Sequence, residues 1–138
     1  MILVAVVDDR MGLCFHGKRQ SQDKRLREKI LTLFAGKTLW MNGYSAKQFA
    51  KDAGADAISV AEDFLTQAGK GEVCFVENIS AASAAERVEQ VYLFHWNRAY
   101  PGDLFFDLPL EDGWELTLEE EFPGSSHDNI TLEVYERA

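Results

Sequence analysis

Six consecutive apolar residues, Ile2 to Val7, open the chain. A run this short, rich in β-branched side chains, predicts a strand buried on both faces. Asp8-Asp9-Arg10-Met11-Gly12 then turns the chain. Leu26, Ile30, Leu33 and Phe34 recur at helical spacing, while Arg25, Arg27 and Lys29 fall off that stripe. Ser21 is the expected N-cap of this helix, with Asp23 in its first turn, and Gly36 ends it. Thr38–Asn42 reads as a strand, and Gly43 to Lys51 as a brief helix broken at Gly54. Ala57–Val60 reads as a strand and Glu62–Ala68 as a short helix. Glu72–Val76 is a buried strand, the alanine-rich Ser80–Glu89 a helix, and Gln90–Trp96 a strand. The last third alternates apolar and polar residues over Trp114–Phe122 and Asn129–Arg137, which predicts two half-exposed strands paired antiparallel.

Strands alternating with helices, followed by a hairpin, predict one α/β domain over 1–138. The expected form is a three-layer sandwich with a mixed, mainly parallel sheet and an antiparallel C-terminal hairpin. A length of 138 residues with 46% hydrophobic residues suits one packed core and argues against disorder. Cys14 and Cys74 stand far apart among apolar neighbours, so both are expected as buried free thiols. The N-terminal run lacks a basic leader and meets acids at Asp8 and Asp9, and no run is long enough to span a membrane. A cytoplasmic location is therefore expected.

The net charge of −9 is unevenly spread: +6 over residues 1–51, −5 over 52–102 and −10 over 103–138. The positive charge gathers between His16 and Lys29. Its simplest reading is a solvated loop and helix face opposite the acidic C-terminal strands. An RNA-binding or ribonuclease-type role centred on His16, Arg19, Arg25 and Arg27 is the sharper one. The overall acidity disfavours a nucleic-acid partner.

Candidate chemistry is sparse. His16, His95 and His127 are too widely spaced to present a zinc site from one element, so no metal is expected. Asp8-Asp9 suits a turn cap better than a Mg²⁺ site. Gly124-Ser125-Ser126-His127 contains a hydroxyl and a base, but neighbours in a hairpin loop rarely meet productively, and it reads as a turn. Trp40, Tyr44, Phe94 and Trp96 could line an aromatic pocket, although aromatics on strands are usually core.

The order of elements, and several of their residues, resembles the dihydrofolate reductase family. Asp9-Arg10-Met11-Gly12 after the first strand resembles the start of that family's mobile loop. The helix to Phe34 followed by Gly36-Lys37-Thr38-Leu39-Trp40-Met41 resembles its first helix and the strand ending in Met-Gly-Arg. Val91-Tyr92-Leu93-Phe94-His95-Trp96 resembles its Leu-Tyr-Leu-Thr-His-Ile strand. The match continues through Gly102-Asp103, Phe106-Asp107, Trp114 and Ser126-His127 to Tyr135-Glu136-Arg137. It covers nearly the whole chain, which is shorter than a small member between residues 50 and 72.

The resemblance implies an acid on the first helix to promote protonation of a pterin. Leu26 stands at that position, and Asp23 and Glu28 are the nearest acids. Phe94 replaces the supporting threonine, and no arginine lies between Arg27 and Arg87 to bind a folate carboxylate. Where the family has Gly-Gly to admit a pyrophosphate, this chain has Glu77-Asn78. The first expectation is therefore a non-catalytic or repurposed domain of this fold, without a cofactor, that binds an unidentified small ligand or protein partner. Its cleft would be lined by Leu3, Ala5, Leu26, Ile30, Met41, Phe75 and Phe94. Asn42, Glu77 and Asn78 would form the rim, and Glu77 would favour a cationic ligand. The alternative is a divergent NADPH-dependent pterin reductase using Asp23 or Glu28 as its acid.

Overall fold

The computed structural model describes residues 1–138. Strand β1 (Ile2–Val7) lies at the centre of a seven-stranded sheet because it is apolar on both faces. It pairs in parallel with β6 (Val73–Val76) on one side and β7 (Gln90–His95) on the other. Beyond β6 lie β4 (Leu39–Met41) and the edge strand β5 (Ile58–Val60), also parallel. Beyond β7 lie β10 (Ile130–Arg137) and the edge strand β9 (Trp114–Phe122), both antiparallel. The sheet is mixed and mainly parallel, with the C-terminal hairpin at one edge. A small second sheet joins β2 (Gly12–Phe15), β3 (Lys18–Arg19) and β8 (Leu104–Phe105).

Side-chain alternation on the strands builds two cores. On one face Ile2, Val4, Phe75 and Phe94 pack with Leu26 and Ile30 of α1 (Lys24–Leu33), with Phe34 that caps its end, and with Phe49 of α2 (Gly43–Phe49). On the other, Leu3, Ala5, Val7 and Leu93 pack with Phe64 and Leu65 of α3 (Phe64–Gln67) and with Ala84 of a 3₁₀ turn (Ala82–Arg87). Burying a side chain such as Ile30 stabilises the fold by about 1.5–3 kcal/mol. Cys14 and Cys74 are buried free thiols, and burial pushes the Cys74 thiol up to about 12. No helix is long and apolar enough to cross a membrane.

Several local expectations change. Asp23, not Ser21, caps α1, because its carboxylate accepts from the Leu26 amide at 3.1 Å. Leu33, the last residue of α1, is 40% exposed, whereas Leu26, Ile30 and Phe34 are buried. Residues 82–87 form a 3₁₀ turn rather than an α-helix. The β2–β3 hairpin and β8 lie in segments that the apolar pattern leaves as turn and loop. Asp8, by contrast, is the expected turn cap. It is buried and accepts from the amides of Gly12 at 2.7 Å, Arg10 at 3.0 Å and Tyr100 at 3.0 Å. Burial opposes its ionisation, but these amides and the Arg10 charge outweigh that and lower its pKa.

Candidate functional site

The sheet's α1-facing side meets the β2–β3 hairpin, and there the candidate cleft is closed by side chains. Arg19 at the end of β3 forms a two-pronged ion pair with Glu77, which follows β6. Its Nε donates to Oε2 at 3.1 Å and its Nη2 to Oε1 at 3.2 Å. Both side chains are largely buried, at 21% and 10% exposure. The guanidinium also lies over the Tyr44 ring, 4.3 Å from its centroid, and donates to the Tyr44 carbonyl at 3.2 Å. The Arg19 amide donates to the Tyr44 hydroxyl at 2.9 Å. Beside this pair, Asn42 caps α2 and its Nδ2 donates to Asn78 Oδ1 at 2.9 Å, while Asn78 Nδ2 donates to the Gly17 backbone carbonyl at 3.4 Å.

The closure corrects three expectations. Glu77 does not offer a free charge to a cationic ligand; the chain's own guanidinium occupies that place. Leu3 and Ala5 do not line a cleft with Leu26 and Ile30, because they point to the opposite core. Leu26, Ile30, Met41, Phe75 and Phe94 do share one face, but all are at most 3% exposed, and they form core rather than an open wall. About 10 Å³ remains between Val6, Leu26, Phe49, Phe75 and Trp96, which is space for one water. The aromatic group is divided as well. Trp40 packs with the opposite core, Phe94 and Trp96 are buried, and Tyr44 lies under Arg19.

The basic segment is likewise divided. Arg27 is paired with Asp52 at 2.8 Å, Arg19 with Glu77, and only His16 and Arg25 of the four candidates are exposed. His16 sits on the hairpin turn, stacked on Phe15 with its amide on Asp103, whereas Arg25 projects from α1. The basic surface that the alternative RNA-binding reading would need is therefore not formed as one patch by these four.

The two candidate acids differ in placement. Glu28 is exposed on the outer side of α1, turned away from the sheet that Leu26 and Ile30 face. Asp23 lines the residual space, but it is locked. Its carboxylate accepts from the amides of Ser126 at 2.8 Å, Ser125 at 2.9 Å and Leu26 at 3.1 Å, and His127 Nδ1 lies 3.2 Å away. Burial by itself would raise its pKa. The Ser126, Ser125 and Leu26 amides and His127 outweigh burial and hold the carboxyl far below its usual range. An acid so held stays ionised at neutral pH and has no proton to deliver to a pterin. Gly124 permits this approach; a Cβ there would stand 2.5 Å from Asp23 Oδ2.

Sequence reasoning missed what surrounds His127. The ring is buried, stacked on Trp96 at 4.4 Å between centroids. Its Nε2 lies 2.9 Å from the Tyr100 hydroxyl and 3.2 Å from Ser21 Oγ. The Ser126-His127 pair was visible, but its third group, Asp23, lies 104 positions away. Other hollows are shallower. One of about 440 Å³ is lined by Trp96, Asn97, Arg98, Ser126, His127, Asp128 and Asn129; an apolar one of about 400 Å³ lies between Leu31, Phe34, Leu39 and Ile58.

A dinucleotide does not suit these residues. The Glu77 carboxylate and the Arg19 and Asn78 side chains fill the approach that a pyrophosphate needs to reach backbone amides. No family model matches the chain, and no curated protein matches it. Among solved structures it is similar to dihydrofolate reductase from Enterococcus faecalis, determined in complex with NADP(H) and RAB-propyl. The superposition covers 99% of this chain and 95% of that one, with a TM-score of 0.69 at 16% sequence identity. The chain thus has the dihydrofolate reductase fold, at 16% sequence identity to that enzyme.

Proposed function

We propose that this protein is a repurposed domain of the dihydrofolate reductase fold that binds a small ligand or a protein partner and does not reduce a pterin. The observation that carries this reading is the Arg19–Glu77 pair, which holds the β2–β3 hairpin down on the cleft. Three features support it further. Leu26 stands where a proton-delivering acid is needed, the nearest buried acid is held ionised, and Phe94 fills space a polar relay would use. A divergent reductase would need Arg19 to leave Glu77 and the hairpin to lift. A nucleic-acid partner is disfavoured by the net charge of −9 and by the internal pairing of Arg19 and Arg27.

Titration of the protein with NADPH, followed by tryptophan emission, tests the reading. Trp96 is the reporter, since it lines the residual space. The expected result is no saturable quenching up to millimolar cofactor and no oxidation of NADPH with dihydrofolate. Saturable quenching in the micromolar range would restore the reductase reading.

A further inference from the structure

Ser21 and Asp23, two positions apart ahead of α1, meet His127 of the β9–β10 loop in the order hydroxyl, imidazole, carboxylate. Ser21 Oγ lies 3.2 Å from His127 Nε2, and His127 Nδ1 lies 3.2 Å from Asp23 Oδ2. We propose that this triad is a nucleophilic site for small esters, with Ser21 as the attacking group, His127 as its base and Asp23 as the residue that positions the ring. The inference rests on the repurposed reading above, but it uses different residues from those that close the cleft.

The tautomer follows from the neighbours. Asp23 is an ionised acceptor, so Nδ1 carries the proton and donates to it. That leaves the Nε2 lone pair for the hydroxyl protons of Ser21 and Tyr100. An imidazole in this state can take a proton from Ser21. Trp96 stacks on one face of the ring, which fixes its plane. The His127 side chain is 4% exposed and that of Asp23 0%, so water does not compete for either contact. Ser126 Oγ, 3.2 Å from Nδ1, is also 3.0 Å from the Gln22 carbonyl, and donation there holds the loop without consuming the base. The backbone amides of Ser21 and Gln22 are not among the donors satisfied inside the chain.

The substrate class follows from the space. Beside Ser21 the space left between Val6, Leu26, Phe49 and the polar Gln22, Gln48 and Arg27 is about 10 Å³, which admits nothing larger than a methyl group. The polar hollow reached past Trp96 is lined by Asn97, Arg98 and Asn129, and suits the alcohol part. The substrate class proposed is an acetyl ester of a polar alcohol, its methyl toward Ser21's side and its alcohol toward His127's. In the first step Ser21 Oγ bonds to the carbonyl carbon while its proton passes to Nε2. The carbon–oxygen bond to the alcohol then breaks, and the alcohol leaves with that proton. Water next adds to the acetyl-serine and gives a proton to Nε2; the proton returns to Ser21 as acetate departs.

The test uses the intact protein and 4-nitrophenyl acetate as the probe. Acid-quenched samples are digested, and the acetylated residue is located by mass spectrometry alongside nitrophenolate release. The expected result is an acetyl group on Ser21 and a burst of nitrophenolate. Ser21→Ala should remove both and lower the rate by about 100-fold or more. Ser21→Cys, which keeps a nucleophile beside His127, should restore acylation at residue 21. A far-ultraviolet spectrum and a melt confirm that each variant is folded. Acetylation confined to lysines or His16, or a Ser21→Ala rate equal to that of the parent, would overturn the proposal. NADPH titration of the same samples separates the two readings. Cofactor binding defeats the repurposed reading, whereas an unlabelled Ser21 with no cofactor binding defeats only the ester site.

Discussion

Glu77 and Asp23 are two buried carboxylates bordering the same residual space, and they are satisfied in opposite ways. Glu77 relies on one long side chain, Arg19, delivered by a two-residue strand on a small separate sheet. Asp23 relies on three backbone amides and a buried imidazole, fixed by the start of α1 and the β9–β10 loop. A guanidinium can be withdrawn by rotating a few side-chain bonds. Amides can be withdrawn only by dismantling the loop that carries them. The first arrangement closes a cleft reversibly; the second is a structural joint that also holds a base in place.

Removing the joint should have the largest effect. Asp23→Ala leaves the Ser125, Ser126 and Leu26 donors buried without an acceptor, and should cost about 3–5 kcal/mol in urea unfolding. A loss below about 1 kcal/mol would mean that the loop finds other partners and that the contrast with Glu77 is not real.

Acid should act on the same joint. The folded Asp23 carboxyl titrates far below the unfolded value of about 3.9, so its contribution is complete above that value. It is lost as pH falls from about 4 toward the folded value. Asp8 is shifted in the same direction and adds to the loss. Thermal melts from pH 7 to pH 3 should fall more steeply for the parent than for Asp23→Asn.

Gly124→Ala probes how tightly the loop sits on Asp23. The added Cβ meets Oδ2 at 2.5 Å and the His127 carbonyl at 2.8 Å, and should cost about 1–3 kcal/mol. An unchanged melting temperature would show that the loop can move aside.

The cleft pair should respond less. Arg19→Met leaves Glu77 without its partner and should cost about 1–2 kcal/mol, part of it recovered by adding Glu77→Gln. The double variant also sharpens the comparison, since any gain in NADPH quenching would show that the pair alone bars the cleft. Smallest of all is Glu120→Gln, which removes the exposed Lys29–Glu120 pair on β9 and should change stability by less than about 0.5 kcal/mol.

Much of the frame was legible where an element is a continuous apolar run or carries a clear alternation. Ile2–Val7, Val73–Val76, Gln90–His95 and the closing hairpin fall where the apolar pattern placed them. Leu26 and Ile30 were identifiable as core from helical spacing. Elements with neither signal were not, and β3 has only Lys18 and Arg19, neither apolar. The candidate site was legible as residue types and opaque as pairings. Glu77 was expected to attract a cation from outside, and nothing local said that Arg19, 58 positions earlier, would supply it. Asp23 was weighed as an acid and His127 as a loop base, and their contact could not be read from either neighbourhood.

The sequence by itself determined the layered α/β architecture, the buried thiols and the Asp8 turn cap, because each depends on periodicity or on neighbours within a few positions. The tertiary structure alone decided that the cleft is closed, that Asp23 is an anion held by backbone amides, and that Ser21 faces His127. Those outcomes rest on contacts between residues dozens of positions apart. Such contacts depend on how sheet, hairpin and loop pack in three dimensions, and a linear pattern does not encode which partner a charge will meet.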